Sequence, residues 1–195
     1  MKLVFATHNP NKLKEIQAIV PDYITLVSLK DIGCFEDIPE TANTLQGNAK
    51  LKADHITNNY NLPCFADDTG LLVNALNGEP GVYSARYAGE ENDANANMDK
   101  LLKNLSNKID RSASFKTSIA LNINEDTLYF NGFVAGQITE TKNGEKGFGY
   151  DPIFMPNGYE QTFAQLPLEI KNQISHRGKA FLKLITYLKK LNVNI

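Results

Sequence analysis

Two cysteines, no tryptophan and no long apolar run are the first features of this sequence of 195 residues. Cys34 and Cys64 are too few for a disulfide framework, and their spacing fits no zinc-binding pattern, so we expect two buried thiols in a reducing compartment. The apolar run at residues 3–6 is far shorter than a signal-peptide core, and no stretch approaches the ~20 apolar residues of a membrane span. These absences predict a cytoplasmic protein that does not associate with membranes.

The sequence also has no strong excess of one charge. It contains 20 Lys and Arg and 22 Asp and Glu, which gives a formal net charge of −2. A basic field that would grip a nucleic acid polymer is therefore not expected, although basic residues could still cluster around a small polyanion. The shares of hydrophobic residues, 42%, and charged residues, 22%, are ordinary for a globular protein. With no repeat and no Pro/Gly-rich linker, residues 1–195 are predicted to form a single domain.

The order of the apolar patterns predicts an α/β fold with a mixed sheet. The predicted strands are residues 3–6, 24–27, 63–66, 115–123, 128–134 and 153–155, and the fourth and fifth form a hairpin around Asn-Glu-Asp. The predicted helices begin near Asn11, Asn43, Asp93 and Ser175, and Pro21 is expected to end the first of them.

A polar segment after the first predicted strand has the character of a phosphate cradle. Thr7 to Lys12 joins that strand to a helix start, where backbone N–H groups and the positive end of the helix dipole point outward. Lys12 could add a charge in the first turn. Because the segment lacks the glycines and the Gly-Lys-Ser/Thr end of the Walker motif, a capped helix start with an exposed lysine is the alternative interpretation.

Carboxylates follow a second predicted strand. Asp67 and Asp68 come directly after residues 63–66, at the kind of strand end where open α/β sheets bind ligands. Magnesium in proteins usually takes one or two carboxylates together with substrate phosphates, and Glu40 could supply another carboxylate from a loop. A solvated Asp-Asp turn is the alternative interpretation.

Glycines beside aromatic residues characterise Gly147–Pro152. They let the backbone approach a flat ligand on which an aromatic ring can stack, and the carboxylate of Asp151 can accept hydrogen bonds. A second group of donors, His176 and Arg177 with Lys171 nearby, could bind phosphate or the carbonyl edge of a base. A tight turn with core aromatics and a capped surface helix are the alternatives for these two segments.

Together, the four segments supply the phosphate donors, metal ligands and base-binding groups of a nucleotide enzyme. They also make the whole sequence resemble the inosine triphosphate pyrophosphatase family, which hydrolyses non-canonical purine nucleoside triphosphates of the dITP/XTP type. The resemblance is carried by Phe5–Lys12 with Glu15, Glu40-Thr41, Asn48–Ala53, Ala66–Gly70, Gly81–Tyr87, Gly147–Pro152 and Ile174–Gly178.

The resemblance implies an elongated α/β fold with a mixed sheet and flanking helices, two lobes around a central nucleotide cleft, and a homodimer. It implies hydrolysis of ITP, dITP and XTP to the monophosphate and pyrophosphate with Mg²⁺, for which Mn²⁺ could substitute. By matching position, Asp68 would be the general base and, with Glu40, a magnesium ligand. The implied substrate-binding residues are Thr7, His8, Asn9, Pro10, Asn11, Lys12, Thr69, Phe148, Gly149, Tyr150, Asp151, Lys171, His176 and Arg177.

Two positions depart from the family pattern. Gly47 stands where many members carry glutamate, so Glu40 and Asp67 would contribute more to metal binding here. Thr69 stands where many bacterial members have serine, and its hydroxyl preserves the expected substrate contact.

These assignments predict attack of water on the α-phosphorus, with pyrophosphate as the leaving group. Asp68 would orient or deprotonate that water, while Lys12 and Lys52 would offset the charge on the leaving pyrophosphate. Arg177 would favour a 6-oxo base over adenine, and Phe148 would stack on the base. The alternatives are a related pyrophosphatase for other modified nucleotides and a non-catalytic nucleotide-binding protein.

Overall fold

The computed structural model describes residues 1–17 and 19–193, apart from the side chains of Asn11, Glu15, Asn192 and Val193. The helices are α1 Pro10–Gln17, α2 Leu45–Tyr60, α3 Ala94–Asn104, α4 Leu168–Ile174 and α5 His176–Val193. The strands are β1 Lys2–Phe5, β2 Thr25–Ser28, β3 Cys64–Val73, β4 Pro80–Gly81, β5 Ser112–Ile123, β6 Asp126–Ile138 and β7 Phe154–Pro156.

The strands form a mixed sheet in the order β2-β1-β3-β5-β6-β7, with β4 paired to β3. β1 runs parallel to both β2 and β3, whereas β3 pairs antiparallel with β4 and β6 pairs antiparallel with β7. The β5–β6 hairpin turns at Asn124 and Glu125, which both have positive φ, as a tight hairpin turn requires. The predicted α/β class, with a mixed sheet and flanking helices, is confirmed.

The chain divides into two compact units. The first unit comprises residues 1–68, 117–131 and those from Ala180 onward. Its core includes three phenylalanines: Phe5 and Phe65 are stacked with ring centroids 4.5 Å apart, and Phe181 meets them edge-on at 5.9 and 6.3 Å. Because these rings come from β1, β3 and α5, distant segments of the chain build one core.

The second unit comprises Thr69–Lys116 and Gly132–Lys179. Its core also contains a cluster of rings, in which Phe115 lies 4.7 Å from Phe154 and 6.3 Å from Phe163 between centroids. α3 covers part of this core through the buried Met98 and Leu101. The prediction of a single domain over residues 1–195 stays a prediction.

Helix boundaries follow the local sequence. Thr44 caps α2, since its Oγ1 accepts a hydrogen bond from the Gly47 N–H at 3.0 Å, and Asn61 ends this helix with a left-handed φ of 51°. Asp93 caps α3 in the same way through the N–H groups of Asn95 and Ala96. Over the part of the chain that the structure describes, none of the helices combines the length and apolarity needed to cross a bilayer.

α1 is described over Pro10–Gln17, and the Val20 N–H still donates to the Ile16 carbonyl at 3.0 Å, directly before Pro21. That Pro21 ends this helix stays a prediction. Two other details differ from the prediction. β3 continues to Val73, so Asp67 and Asp68 lie inside a strand and not in a turn after it. α4 was not predicted at all.

Candidate functional site

In the first unit, backbone N–H groups of the segment between β1 and α1 donate hydrogen bonds to side chains of the same segment. The Asn9 N–H donates to Thr7 Oγ1 at 3.1 Å, and the Lys12 N–H donates to Asn9 Oδ1 at 3.4 Å. Asn9 therefore acts as the N-cap of α1, and Pro10 takes the first helical position, where its missing N–H costs nothing. The side chain of Asn11 lies outside the described residues.

This segment is joined to the predicted carboxylates through Lys12. The Lys12 Nζ lies 2.9 Å from Asp67 Oδ1, and the Asp67 side chain is fully buried. Asp67 and Asp68 are only 1% and 7% exposed although both lie within β3. A charged pair inside a strand is tolerated because basic and amide groups of neighbouring elements bond to it.

Asp68 is held by α2. The Asn48 Nδ2 donates to Asp68 Oδ2 at 3.2 Å, while Asn48 Oδ1 accepts from the Ala42 N–H at 2.9 Å. The fully buried Asn48 thus ties Asp68 to the loop before α2. Sequence reasoning counted Asn48 only as part of a family block and gave it no role.

Lys52 is shared between two carboxylates. Its Nζ is hydrogen-bonded to Glu40 Oε1 and lies 4.0 Å from Asp68 Oδ1. Burial lowers the pKa of Lys52, but the charges of Asp68, Glu40 and Asp67 outweigh it and raise that pKa overall. Lys52 is therefore a fixed positive charge among acids.

Asp68 has an unusual protonation equilibrium. Burial, with a contribution from the nearby Glu40 charge, raises the pKa of Asp68 to about 6, although Lys52, Asn48 and Lys12 act in the opposite direction. A carboxylate with a pKa near neutrality is suited to accept a proton under physiological conditions.

These side chains fit a magnesium ion whose coordination shell is completed by phosphate oxygens of the substrate. Glu40 and Asp68 provide hard oxygen ligands around one ammonium group, and Asp67 lies beside them in β3. Within the described residues these three side chains do not bring three carboxylate oxygens within 4.8 Å of one another. Magnesium sites often use one or two carboxylates plus phosphate oxygens, so the arrangement matches that class.

The glycine at position 47 has a steric explanation. A Cβ built there would lie 2.6 Å from the Ala42 Cβ and 3.0 Å from Thr44 Oγ1. The loop before α2 therefore packs against the helix where a glutamate side chain would have to begin.

In the second unit, the glycine-rich loop is organised by Asp151. Its Oδ2 accepts hydrogen bonds from the Phe148 N–H at 2.8 Å and from Lys171 Nζ at 2.7 Å. Gly147 has a φ of +80°, and a Cβ there would lie 2.1 Å from the same carboxylate oxygen. Glycine is thus required at position 147 both by its backbone conformation and by the close approach of Asp151.

Two cationic side chains lie close to the ring of Phe148. The Lys171 Nζ lies 5.1 Å from the ring centroid and the Arg177 guanidinium carbon lies 5.0 Å from it. The structure therefore brings together the predicted Phe148, Asp151, Lys171 and Arg177. Gly149, between the two aromatics, has a φ of +64° and open space where a side chain would be.

The remaining predicted residues of this unit have different surroundings. Tyr150 is buried, its hydroxyl donates to the Ser84 carbonyl at 2.8 Å, and burial raises its pKa. His176 is 4% exposed and stacks on Phe115 with centroids 4.5 Å apart. Thr69 follows Asp68 in β3 and is partly buried. The substrate contacts expected of these residues stay predictions.

α5 begins as the sequence predicts. Ser175 Oγ accepts from the Gly178 N–H at 3.1 Å, which makes Ser175 the N-cap. The cap places His176 and Arg177 in the first turn of α5, and both are buried.

The fold and these clusters define an α/β protein with a lysine–carboxylate cluster suited to a divalent cation and phosphate, and a cation-lined aromatic ring suited to a base. The Ham1 family model matches residues 3–187, and the chain belongs to this family. The resemblance found in the sequence is confirmed.

Individual relatives are similar to this chain over nearly its whole length. A dITP/XTP pyrophosphatase of Flavobacterium johnsoniae is 62% identical over 188 residues, which cover 96% of this chain and 98% of the relative. The solved structure of the Staphylococcus aureus Ham1 protein matches with a TM-score of 0.90 and 42% identity, covering 97% of this chain and 99% of the other. A HAM1 protein from Coxiella burnetii matches with a TM-score of 0.91 and 40% identity, with the same coverage.

Proposed function

We propose that this protein hydrolyses non-canonical purine nucleoside triphosphates, namely ITP, dITP and XTP, to the nucleoside monophosphate and pyrophosphate. The activity would remove deaminated purines from the nucleotide pool of the cytoplasm. The observation that carries the proposal is the convergence of Glu40 and Asp68 on Lys52. The relatives named as dITP/XTP pyrophosphatases support the choice of substrate.

Glu40 and Asp68 are the proposed ligands of magnesium. When bound, magnesium would neutralise phosphate oxygens and lower the pKa of a coordinated water. Mn²⁺ could replace it, since the ligands are oxygens.

The residues of the first unit have three tasks in this reaction. Asp68 accepts the proton of the attacking water, and Asn48 fixes the orientation of its carboxylate through the 3.2 Å hydrogen bond. Thr7, His8, Asn9, Pro10 and Asn11 lead to Lys12 at the start of α1, where backbone N–H groups and the lysine hold phosphate. Lys52 and Lys12 offset the charge that builds on the leaving pyrophosphate.

The residues of the second unit are proposed to hold the base. Phe148 would stack on the purine, and the guanidinium of Arg177 would donate to a 6-oxo group that adenine lacks. Asp151 keeps Phe148 and Lys171 in place through its two hydrogen bonds. Thr69, Gly149, Tyr150 and His176 complete the proposed contacts with the substrate.

A homodimer is proposed as the assembly, with a free nucleotide and no nucleic acid polymer or membrane as partner. Tyr83 supports a surface for a second copy, because it is 55% exposed within the family block Gly81–Tyr87 and Arg86 lies 5.3 Å from its ring. Light scattering of the purified protein tests this directly, and a mass of one chain would contradict it.

The reaction is tested by measuring pyrophosphate release from ITP, XTP, ATP, GTP and CTP at equal concentration, with and without magnesium. We expect magnesium-dependent turnover of ITP and XTP far above that of ATP and CTP, which lack a 6-oxo purine edge. Guanine also carries this 6-oxo group, so the Arg177 contact does not by itself distinguish GTP from ITP. Equal turnover of all five would support pyrophosphatase activity but contradict the role of Arg177 in selecting the base. No turnover of any substrate would favour a non-catalytic nucleotide-binding protein.

The catalytic assignment is tested with Asp68→Asn. This change preserves an acceptor for Asn48 but removes the base, so we expect kcat to fall by about two orders of magnitude or more. Undiminished turnover in a folded Asp68→Asn protein would remove Asp68 from the catalytic role.

A further inference from the structure

A second group of metal-ligating side chains lies in the first unit, formed by Cys34, Glu36 and His55. One potential ligand atom from each residue lies within 4.8 Å of the other two. His55 Nε2 is 2.8 Å from Glu36 Oε1. Cys34 and Glu36 belong to the segment after β2, whereas His55 belongs to α2. The magnesium ligands proposed above are not members of this cluster.

We propose that Cys34, Glu36 and His55 bind a zinc-class transition metal ion, with water at the fourth position. A thiolate, an imidazole and a carboxylate are the three ligand types that zinc takes in proteins, and three protein ligands plus water are a common zinc coordination. Magnesium prefers oxygen ligands throughout, so the thiol selects the softer class of ion.

The groups around the cluster are those that metal ligands require. Tyr60, the last residue of α2, packs against the core cluster that contains Cys34. His55 Nδ1 lies 3.3 Å from Asn59 Nδ2, so an amide one helical turn away can orient the ring through its Oδ1 after a flip.

Exposure favours an ion over a larger reactant. Cys34 is 1% exposed, so a bulky electrophile has little access to its sulfur. The side chains of His55 and Glu36 are 25% and 56% exposed, which leaves the cluster open to solvent on their side. A metal ion can therefore reach the cluster from that side.

Sequence reasoning could not find this cluster. Cys34 and Glu36 are separated by one residue, and His55 follows after a loop and three turns of α2, which matches no linear zinc motif. Only the packing of α2 against the segment after β2 brings them together.

The consequence of binding concerns the loop that carries Glu40. Glu36 lies four residues before Glu40, and His55 lies one helical turn after Lys52, to which Glu40 is bonded. An ion held by Glu36 and His55 would fix the beginning of this loop on α2. The ion would therefore act through stability and not as a reactant.

The test is a cobalt titration of the metal-stripped full chain, because Co²⁺ occupies zinc sites and reports thiolate ligation by a near-ultraviolet charge-transfer band. We expect one Co²⁺ per chain with that band and its loss on addition of Zn²⁺. Absence of the band from the wild-type protein would overturn the proposal.

Matched variants locate the ion. Cys34→Ser should abolish the band, and Cys64→Ser, which changes the other buried thiol, should retain it. His55→Gln and Glu36→Gln should weaken metal binding by about tenfold or more. Because the side chains of His55 and Glu36 are partly exposed, these two variants still test the proposal if Cys34→Ser fails to fold. Asp68→Asn should leave the band unchanged, since an ion at the magnesium ligands has no sulfur. Retention of the band in Cys34→Ser, its loss in Cys64→Ser, or unchanged affinity in His55→Gln would each overturn the assignment.

Discussion

Several charged residues in this protein are buried in ion pairs. Asp151 and Lys171 are 2.7 Å apart with side chains only 6% and 7% exposed, and Lys12 and Asp67 form a similar pair in the first unit. Burying such a pair gains little stability by itself, but removing one partner leaves an uncompensated charge. These pairs should therefore be sensitive to substitution in a way that surface pairs are not.

Lys171→Met tests this sensitivity. Because Asp151 would be left buried without its cation, we expect the free energy of unfolding to fall by about 3 kcal/mol or more. The control is Lys142→Met, since Lys142 is also 2.7 Å from a carboxylate, that of Asp99, but this pair is 33% and 66% exposed. It should cost no more than about 1 kcal/mol. Urea unfolding followed by circular dichroism measures both values, and equal losses would contradict the argument.

Asp68 should make the stability of the metal-free protein depend on pH. Its folded pKa of about 6 lies above the ordinary value of 3.8. Above pH 6 Asp68 is charged in the folded and unfolded states, and the folded state bears the cost of burying the charge. Below the ordinary value it is neutral in both states, and the cost vanishes. Asp68 therefore lowers the free energy of unfolding by about 3 kcal/mol as the pH rises from 3.8 to about 6.

Asp68→Asn should remove this dependence. We expect the variant to be more stable than the wild type at pH 8 in the presence of a chelator, and equally stable near pH 4. Thermal unfolding at both pH values measures the difference, and the exposed Asp22→Asn serves as the control. A stability difference that is the same at both pH values would show that burial of the charge is not its cause.

At the scale of elements, the junction between α4 and α5 depends on one glycine. A Cβ at Gly178 would lie 1.7 Å from the backbone carbonyl oxygen of Asn172. The two helices can therefore meet only where a side chain is missing, and this contact sets the direction in which α5 leaves the cap at Ser175.

Gly178→Ala should be strongly destabilising, by about 3 kcal/mol, because backbone atoms cannot move aside as a flexible side chain can. Gly158→Ala is the matched control, since position 158 has a φ of +85° but nothing within 4 Å of the new Cβ. It should cost about 1–2 kcal/mol for the left-handed backbone alone. If denaturant midpoints shift equally in the two variants, the close approach at Gly178 is not the decisive factor.

Elements with strong local signals could be predicted from the sequence. The β5–β6 hairpin, the helices α2, α3 and α5, and the cap at Ser175 all rest on contacts between near neighbours in the chain. β3 could not be bounded, because two aspartates normally end a buried strand. It continues through them since Lys12 and Asn48, which are distant in sequence, satisfy their charges and hydrogen bonds.

The site was predictable to a similar degree. The segments that contain Lys12, Asp68 and Phe148 could be found because together they supply the donors, carboxylates and aromatic ring of a nucleotide site and carry the family resemblance. The sharing of Lys52 between Glu40 and Asp68, and the support that Asn48 gives, depend on how α2 packs. The metal-ligand cluster at Cys34 was missed for the same reason.

At the scale of the whole molecule, each unit is assembled from separated segments of the chain. The first unit needs α5, whose Phe181, Leu184 and Leu188 pack with residues of β1 and β3. Phe181→Ala should therefore destabilise the protein by about 3–5 kcal/mol. Its neighbour Leu182 is 66% exposed, and Leu182→Ala should change stability by no more than about 0.5 kcal/mol. Calorimetry of the two variants compares them, and a small effect of Phe181→Ala would show that α5 is dispensable for this core.

The interleaving of the two units also constrains how the protein is made. Domains commonly fold in the order in which they emerge from the ribosome. Here β1 and β3 leave the ribosome before α5, so Phe5 and Phe65 cannot pack against Phe181 until α5 has also emerged. The sequence of the first unit begins earliest but is complete only after that of the second, so during synthesis its apolar strands lack the side chains of α5 that cover them in the folded protein.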